Sequence, residues 1–403
     1  MRLADLIDSI HLPDDGTIRN DLQVAGYQTL RGSDSHFIQQ LGIFPAIALR
    51  SDAVPTVFFK VDAVADFLAT WQIHAEIAGA PMAAIRHAVV ATGHGRLACV
   101  IERHGLQGFV EPRSTPSPTL ILRHFEAFRL RQRHFKIDAD GYAHASALID
   151  ASIADLDVDR TCDLFFAAER EYWQRRNRAG QVQKLRQDAL GIGWANHDHH
   201  TYRSGRAQFA PMIAIFEKLG FHCRERFYAG HQSGWGAQVL EQPTAGITIF
   251  ADVDMSPEEL MGDFSHDGLE PRQKLGTVGL WCALHGEAFL EAGMHHLECQ
   301  FDFESLKQQL ETTQNVKVMK PFTAFPYLRQ AFTEGEVWPV RGERIDQLVT
   351  TGQITPEQAD KFRREGALGS HLENLERNDG FKGFNQTGVS EIIAKTDPRL
   401  QSH

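Results

Sequence analysis

Residues 194–203, read as Trp-Ala-Asn-His-Asp-His-His-Thr-Tyr-Arg, concentrate groups able to do chemistry. As a strand, this run places His197, His199, Thr201 and Arg203 on one face and Asp198, His200 and Tyr202 on the other. Imidazoles bind metals, and the planar fork of an arginine binds a carboxylate through two hydrogen bonds. Four residues at about 3.3 Å each put the Cα atoms of His199 and Arg203 roughly 13 Å apart. Metal and arginine would then grip the two ends of one small acid. A second segment, 293–301, carries His295, His296 and Glu298, and a third, 371–377, carries Glu373 and Glu376. Two imidazoles and one carboxylate fill one face of an octahedron and leave the other to substrate and O₂. The expected ligands are His199, His296 and Glu376. Glu373 competes for the third place, and His197 and Glu298 share the face of the proposed ligands.

The elements around these segments repeat. Residues 194–252 spell strand, helix, strand, strand, strand. The helix, 207–219, ends at Gly220 as a C-cap would. Ser256-Pro257 opens a further helix. A strand at 277–284 is expected next. The pattern then restarts with a strand at 293–301, a helix at 303–311 and a strand at 316–319. A largely helical insertion at about 325–366, a last strand at 371–377 and a short helix at 389–395 follow. Upstream, 157–188 reads as a charged connecting helix, and 123–136 as a basic helix with Phe125 and Phe128 on the core. In the first 155 residues, strands are expected at 57–61, 87–92 and 98–103, and an amphipathic helix at 62–80. Gly93-His94-Gly95 is a turn, since it lacks the further glycines and following helix of a phosphate loop. No internal repeat is visible in residue identities.

The 403 residues suffice for two or three cores. A net charge of -11 argues against bulk electrostatic binding to nucleic acid or anionic lipid. Five cysteines without a CxxC pair give neither a thiolate zinc site nor a disulfide framework. With no signal-peptide pattern and no long apolar run, the expectation is a cytoplasmic protein that needs no membrane.

The repeated βαβββ unit with His, His and Glu resembles the vicinal oxygen chelate fold of glyoxalases, extradiol dioxygenases and 4-hydroxyphenylpyruvate dioxygenases. More narrowly, Asp198-His199-His200-Thr201-Tyr202-Arg203 is similar to the HxxxR signature of the 2-oxoadipate dioxygenase/decarboxylases, also called hydroxyglutarate synthases. Met294-His295-His296-Leu297 with Phe301-Asp302-Phe303 is similar to that family's second histidine segment. Leu375-Glu376-Arg377 with Gly380 and Thr387-Gly388 is similar to its closing glutamate segment, differently spaced. The resemblance covers roughly 160–396. It implies an α+β fold of paired βαβββ modules forming an incomplete barrel around a metal, at 194–403. Residues 1–155 would be an N-terminal α+β extension and 156–193 a connecting helix. It implies Fe(II), with Zn, Ni or Mn as alternatives, held by His199, His296 and Glu376. Arg203 would clamp the distal carboxylate of a small 2-oxo acid, which O₂ and decarboxylation convert to a shorter 2-hydroxy acid. Two other readings stay open: a glyoxalase-type lyase or isomerase working without O₂, and a non-catalytic small-acid-binding relative. A homo-oligomer is compatible with each.

Overall fold

The computed structural model describes residues 3–51, 54–229, 234–385 and 397–399. It is an α+β protein built on two open, multi-stranded sheets, and each sheet is assembled from βαβββ units.

The first sheet begins with β1 (Ile7–Pro13), α1 (Ile18–Val24), β2 (Gln28–Thr29), β3 (His36–Ile38) and β4 (Ala46–Arg50). A second unit follows as β5 (Thr56–Lys60), α2 (Val64–Trp71), β6 (Ile85–Gly93) and β7 (Arg96–Arg103). The strand order is β2-β3-β4-β1-β5-β7-β6. Within each unit the first and last strands are parallel neighbours, β1 with β4 and β5 with β7. The units join through antiparallel β1 and β5. The second unit is one strand short, and a single bridge between Ala78 and His87 stands in its place. The helix expected at 62–80 stops at Trp71, because Gln72 takes a left-handed C-cap conformation.

Four helices connect the sheets: α3 (Pro118–Arg129), α4 (Asp138–Leu156), α5 (Val158–Arg175) and α6 (Arg178–Asp188). Asp157 caps α5 by accepting from Arg160 N, and Asn177 caps α6 by accepting from Gly180 N. The single expected connecting helix is thus broken at 176–177. It is also not a solvated strut. Phe165 and Phe166 of α5 are buried, and Phe166 packs 5.1 Å from the His200 ring. Nor is the basic run 123–136 solvated throughout. Arg131 and Arg133 are buried on Glu169 of α5, at 3.0 and 2.5 Å.

The second sheet begins with β8 (His197–Arg203), α7 (Phe209–Lys218), β9 (His222–Tyr228), β10 (Trp235–Gln242) and β11 (Ile247–Asp254). After α8 (Thr277–His285), a second unit runs β12 (His296–Gln300), α9 (Phe303–Gln314), β13 (Thr323–Phe325) and β14 (Leu328–Phe332). The short β15 (Glu336–Trp338), α10 (Gly342–Thr350) and α11 (Pro356–Glu365) precede the closing strand β16 (Ala367–Arg377). The order is β13-β14-β16-β12-β8-β11-β10-β9, with β15 beside β16. Again the first and last strands of each unit are parallel, and the units meet through antiparallel β8 and β12.

Several expectations change. Residues 277–284 form a helix, because nearly every side chain there is buried and no period distinguishes helix from strand. The expected strand at 316–319 reduces to one bridge, Val318 to Thr333. The hairpin that supplies the second unit's middle strands is β13–β14, with Pro321 before it and Pro326 in its turn, and the helical insertion is confined to α10 and α11. The helix expected after Ser256 is a single 3-10 turn, Glu259–Met261. The helix expected at 389–395 and the pair Thr387-Gly388 lie outside the described residues. Among the described residues no helix is long and apolar enough to cross a membrane.

Candidate metal centre

Strand register collects the chemistry. His199 pairs with Glu298 and Thr201 with His296 across β8 and β12, while His296 pairs with His371 and Glu298 with Glu373 across β12 and β16. Because side chains alternate, His199, Thr201 and Arg203 share one face with His296, Glu298, His371 and Glu373. There Glu373 Oε2 lies 2.9 Å from His296 Nε2 and 3.8 Å from His199 Nε2. Ligands about 2.1 Å from one ion stand roughly 3 Å apart at right angles and at most about 4.2 Å apart, so both spacings are within the reach of one cation. All three are buried, at 5, 8 and 3% exposure for His199, His296 and Glu373.

The donor set also fits a cation electrostatically. Glu298 and Glu373 are both buried, and Gln330 Nε2 donates to one oxygen of each, at 3.2 Å. Burial, joined at Glu298 by the charge of Glu373, pushes both carboxyls well above the usual range. A cation at the His199 and His296 nitrogens would relieve that penalty. Burial holds both imidazoles on the neutral side, as a ligand must be. His199 Nδ1 is hydrogen-bonded to Asp198 Oδ1 at 3.2 Å and lies 2.5 Å from Glu298 Oε2. With its proton on Nδ1, the Nε2 lone pair faces Glu373. Asp198 is itself fixed by two bonds from Arg377, each 3.0 Å, and one from Gln300 at 2.8 Å. Thr201 Oγ1 reaches His296 Nε2 at 2.8 Å.

Glu376 does not join this group. It lies three residues beyond Glu373, so it points to the opposite face. There its carboxylate accepts from Phe303 N at 2.9 Å, at the start of α9, and from Asn378 Nδ2 at 3.1 Å. The structure brings Glu373 to the histidines instead. Alternation from His371 along the last strand was the signal that favoured it. His197 also leaves the expected face. An extra residue bulges β8 between His197 and His199, where the register with β12 shifts. His197 therefore packs 5.2 Å from the His200 ring, on the side of α5.

Arg203 stays on the site face, 2% exposed, with its guanidinium 5.6 Å from the Trp281 ring. It and the His199–His296–Glu373 group line one cavity. Its walls are aromatic: Phe227, Trp235, Phe250, Phe322, Phe332 and Phe384. That lining, apolar with a few convergent polar groups, suits a small molecule. Gln330, Asp252 and the aromatic wall had no assigned role in the sequence, since each reaches the site through long-range pairing, while Glu298 was placed only on the ligand face and Asp198 only on the opposite one.

No known protein-family profile matches the sequence, and no curated protein matches it. Among solved structures, similarity extends to a glyoxalase superfamily protein from Ralstonia eutropha JMP134, at 12% identity over 67% of this chain and 99% of that one, TM-score 0.38. It also extends to a triple mutant of 4-hydroxymandelate synthase from Streptomyces coelicolor, at 12% identity over 97% and 99%, TM-score 0.30. A third is methylmalonyl-CoA epimerase from Mycobacterium tuberculosis, at 13% identity over 46% and 89%, TM-score 0.25. The paired βαβββ assignment rests on the strand order and registers above.

Proposed function

We propose that this chain is a non-haem Fe(II) enzyme that oxidatively decarboxylates a small 2-oxo acid, with His199, His296 and Glu373 as metal ligands. The observation that carries the reading is the convergence of two neutral imidazoles and one carboxylate at a cavity with Arg203 on its wall. When bound, Fe(II) supplies a Lewis acid and the means to use O₂. The chain's own residues do the rest. Asp198 keeps the His199 proton on Nδ1, and Gln330 orients Glu373. Arg203 takes the remote carboxylate of a dicarboxylic substrate, and the aromatic walls exclude water. Substrate and O₂ give CO₂ and a 2-hydroxy acid one carbon shorter, so 2-oxoadipate would give 2-hydroxyglutarate.

Oxygen uptake by Fe(II)-loaded protein over a panel of 2-oxo acids tests this directly. Stoichiometric O₂ and CO₂ are expected, and full turnover without O₂ would end the dioxygenase reading. One observation favours a second reading, a glyoxalase-type lyase or isomerase: Glu298 supplies another buried carboxylate beside His199. The same anaerobic assay, with Zn or Ni in place of iron, separates the two.

A further inference from the structure

We propose that Asp252 sets substrate specificity: as a neutral carboxylic acid it shares the remote carboxylate of a dicarboxylic 2-oxo acid with Arg203, so that binding takes up one proton. This rests on the 2-oxo acid reading above and adds to it a residue and a proton.

Arg203 and Asp252 are register partners on β8 and β11, and both line the cavity. They are 2% and 4% exposed. Yet Arg203 Nε is 3.9 Å from Asp252 Oδ2, beyond hydrogen-bonding distance, and that Nε has no partner among the described residues. The contrast with Asp198 and Arg377 is direct, since that buried pair closes to two bonds of 3.0 Å. Arg203 and Asp252 are held apart with donors left to spend on a third group.

Charge decides what that group meets. Arg203 from β8 is the cation facing Asp252. Asp254, next along β11, is engaged by Val278 N and Gly279 N at the start of α8. Cys282 of α8 and Asp397 also face Arg203, and Asp397 is bonded to Arg399. His295 and His371 are kept neutral by burial, and Glu373 lies toward the ligand end. A substrate carboxylate arriving at Arg203 beside an ionised Asp252 would put two anions on one guanidinium. One of them must then carry a proton. Burial, only partly offset by Arg203, raises the Asp252 carboxyl to about 7, so that proton is available near neutrality. Protonated, Asp252 donates to the substrate carboxylate while Arg203 neutralises it. A monocarboxylic 2-oxo acid makes no such demand.

The test compares 2-oxoadipate with 2-oxohexanoate, its monocarboxylic match, from pH 6 to 8.5. Wild-type and Asp252→Asn proteins are used, with metal content measured throughout. In the wild type, KM for 2-oxoadipate should rise about tenfold per pH unit above 7, while that for 2-oxohexanoate stays flat. Asp252→Asn, with normal metal content, should give a flat profile for both. A wild-type slope persisting in Asp252→Asn, or an equal slope for both substrates, would overturn the proposal. Calorimetry of wild-type protein with adipate, in buffers of different ionisation enthalpy, counts protons without turnover or a variant. With Asp252 near 7, about a quarter of the free protein is already protonated at pH 7.5, so uptake of roughly three-quarters of a proton there supports the role of Asp252, and none refutes it. Absence of turnover with that uptake would instead refute the proposed reaction alone.

Discussion

The two sheets are one design used twice, and among the described residues only the second carries a ligand set. β1, β5 and β7 take the places of β8, β12 and β16 in order and direction. The register break matches to the residue: Ser9 pairs with Phe58 and Ile7 with Phe59, as His199 pairs with Glu298 and His197 with Cys299. Through that match His199, His296 and Glu373 correspond to Ser9, Thr56 and Cys99. The Arg203 and Asp252 pair corresponds to Pro13 and Arg50. One buried contact survives intact. Arg103 donates two bonds of 2.8 Å to Asp8, where Arg377 donates two of 3.0 Å to Asp198. Each clamp ties the first strand of a sheet to the last strand of its second unit. The clamp and the bulge therefore belong to the fold, and the positions beside them are free to carry chemistry.

The largest expected effect separates the sheets outright. His199→Ala, His296→Ala or Glu373→Ala should lose metal by more than the roughly 10–100-fold that follows removal of a supporting partner. Ser9→Ala, at the corresponding place in the first sheet, should leave metal content unchanged. Glu376→Gln should also keep its metal and lower stability by about 1–3 kcal/mol, through the weakened bond to Phe303 N. Metal analysis beside denaturant unfolding reads both quantities. Metal loss in Glu376→Gln with retention in Glu373→Ala would reverse the assignment.

The clamps give the next effect. Asp8→Ala and Asp198→Ala each strand a buried arginine, at a cost of about 3–5 kcal/mol. Metal-free protein should therefore be destabilised similarly by either change. Asp198→Ala alone should weaken metal binding, by roughly 10–100-fold, because Asp198 also orients His199. Equal metal affinity in the two variants would mean that the Asp198 contact to His199 is incidental.

Much of the second sheet was legible because its turns carry glycine, at Gly220, Gly234 and Gly246, and because its histidines are concentrated in two short runs. The strand holding His199, Thr201 and Arg203 is an example. What escaped depends on pairing between distant segments. β16 begins at Ala367 and nearly all of it is buried, so only the two-residue spacing of His371 and Glu373 separated Glu373 from Glu376. The bulge that turns His197 away exists only once β8 meets β12. The first sheet was harder still. Its β2 has two residues, both exposed, and β3 has three, too few to show a period. The repeat itself left no visible signature, because in strand positions at the ligand site the sheets share Asp8 with Asp198 and Arg103 with Arg377 but not the ligands.

The last contrast between the sheets is through pH. Near the end of β8, Glu287 is 6% exposed and accepts from Ser204 Oγ at 2.8 Å and Gly205 N at 2.9 Å. Burial still raises its carboxyl to about 8, against 4.5 unperturbed. Between those values the folded chain holds a proton that the unfolded chain has released. Stability from this group is therefore full below about 4.5 and lost as pH rises through 8, at up to about 1.4 kcal/mol per pH unit. In the first sheet His11 lies 4.7 Å from the Phe58 ring, and burial with the charge of Arg50 lowers it to about 4 from 6.5. Here the unfolded chain binds the extra proton, so stability falls as pH drops from 6.5 to 4. Glu287→Gln should flatten the alkaline decline of metal-free protein, and His11→Phe should flatten the acid one. Unfolding midpoints at constant ionic strength across pH 4–8.5 measure both. A Glu287→Gln protein that declines between pH 6 and 8 as steeply as the parent would show that its carboxyl is ionised in the fold. The two Ser204 and Gly205 donors would then outweigh burial.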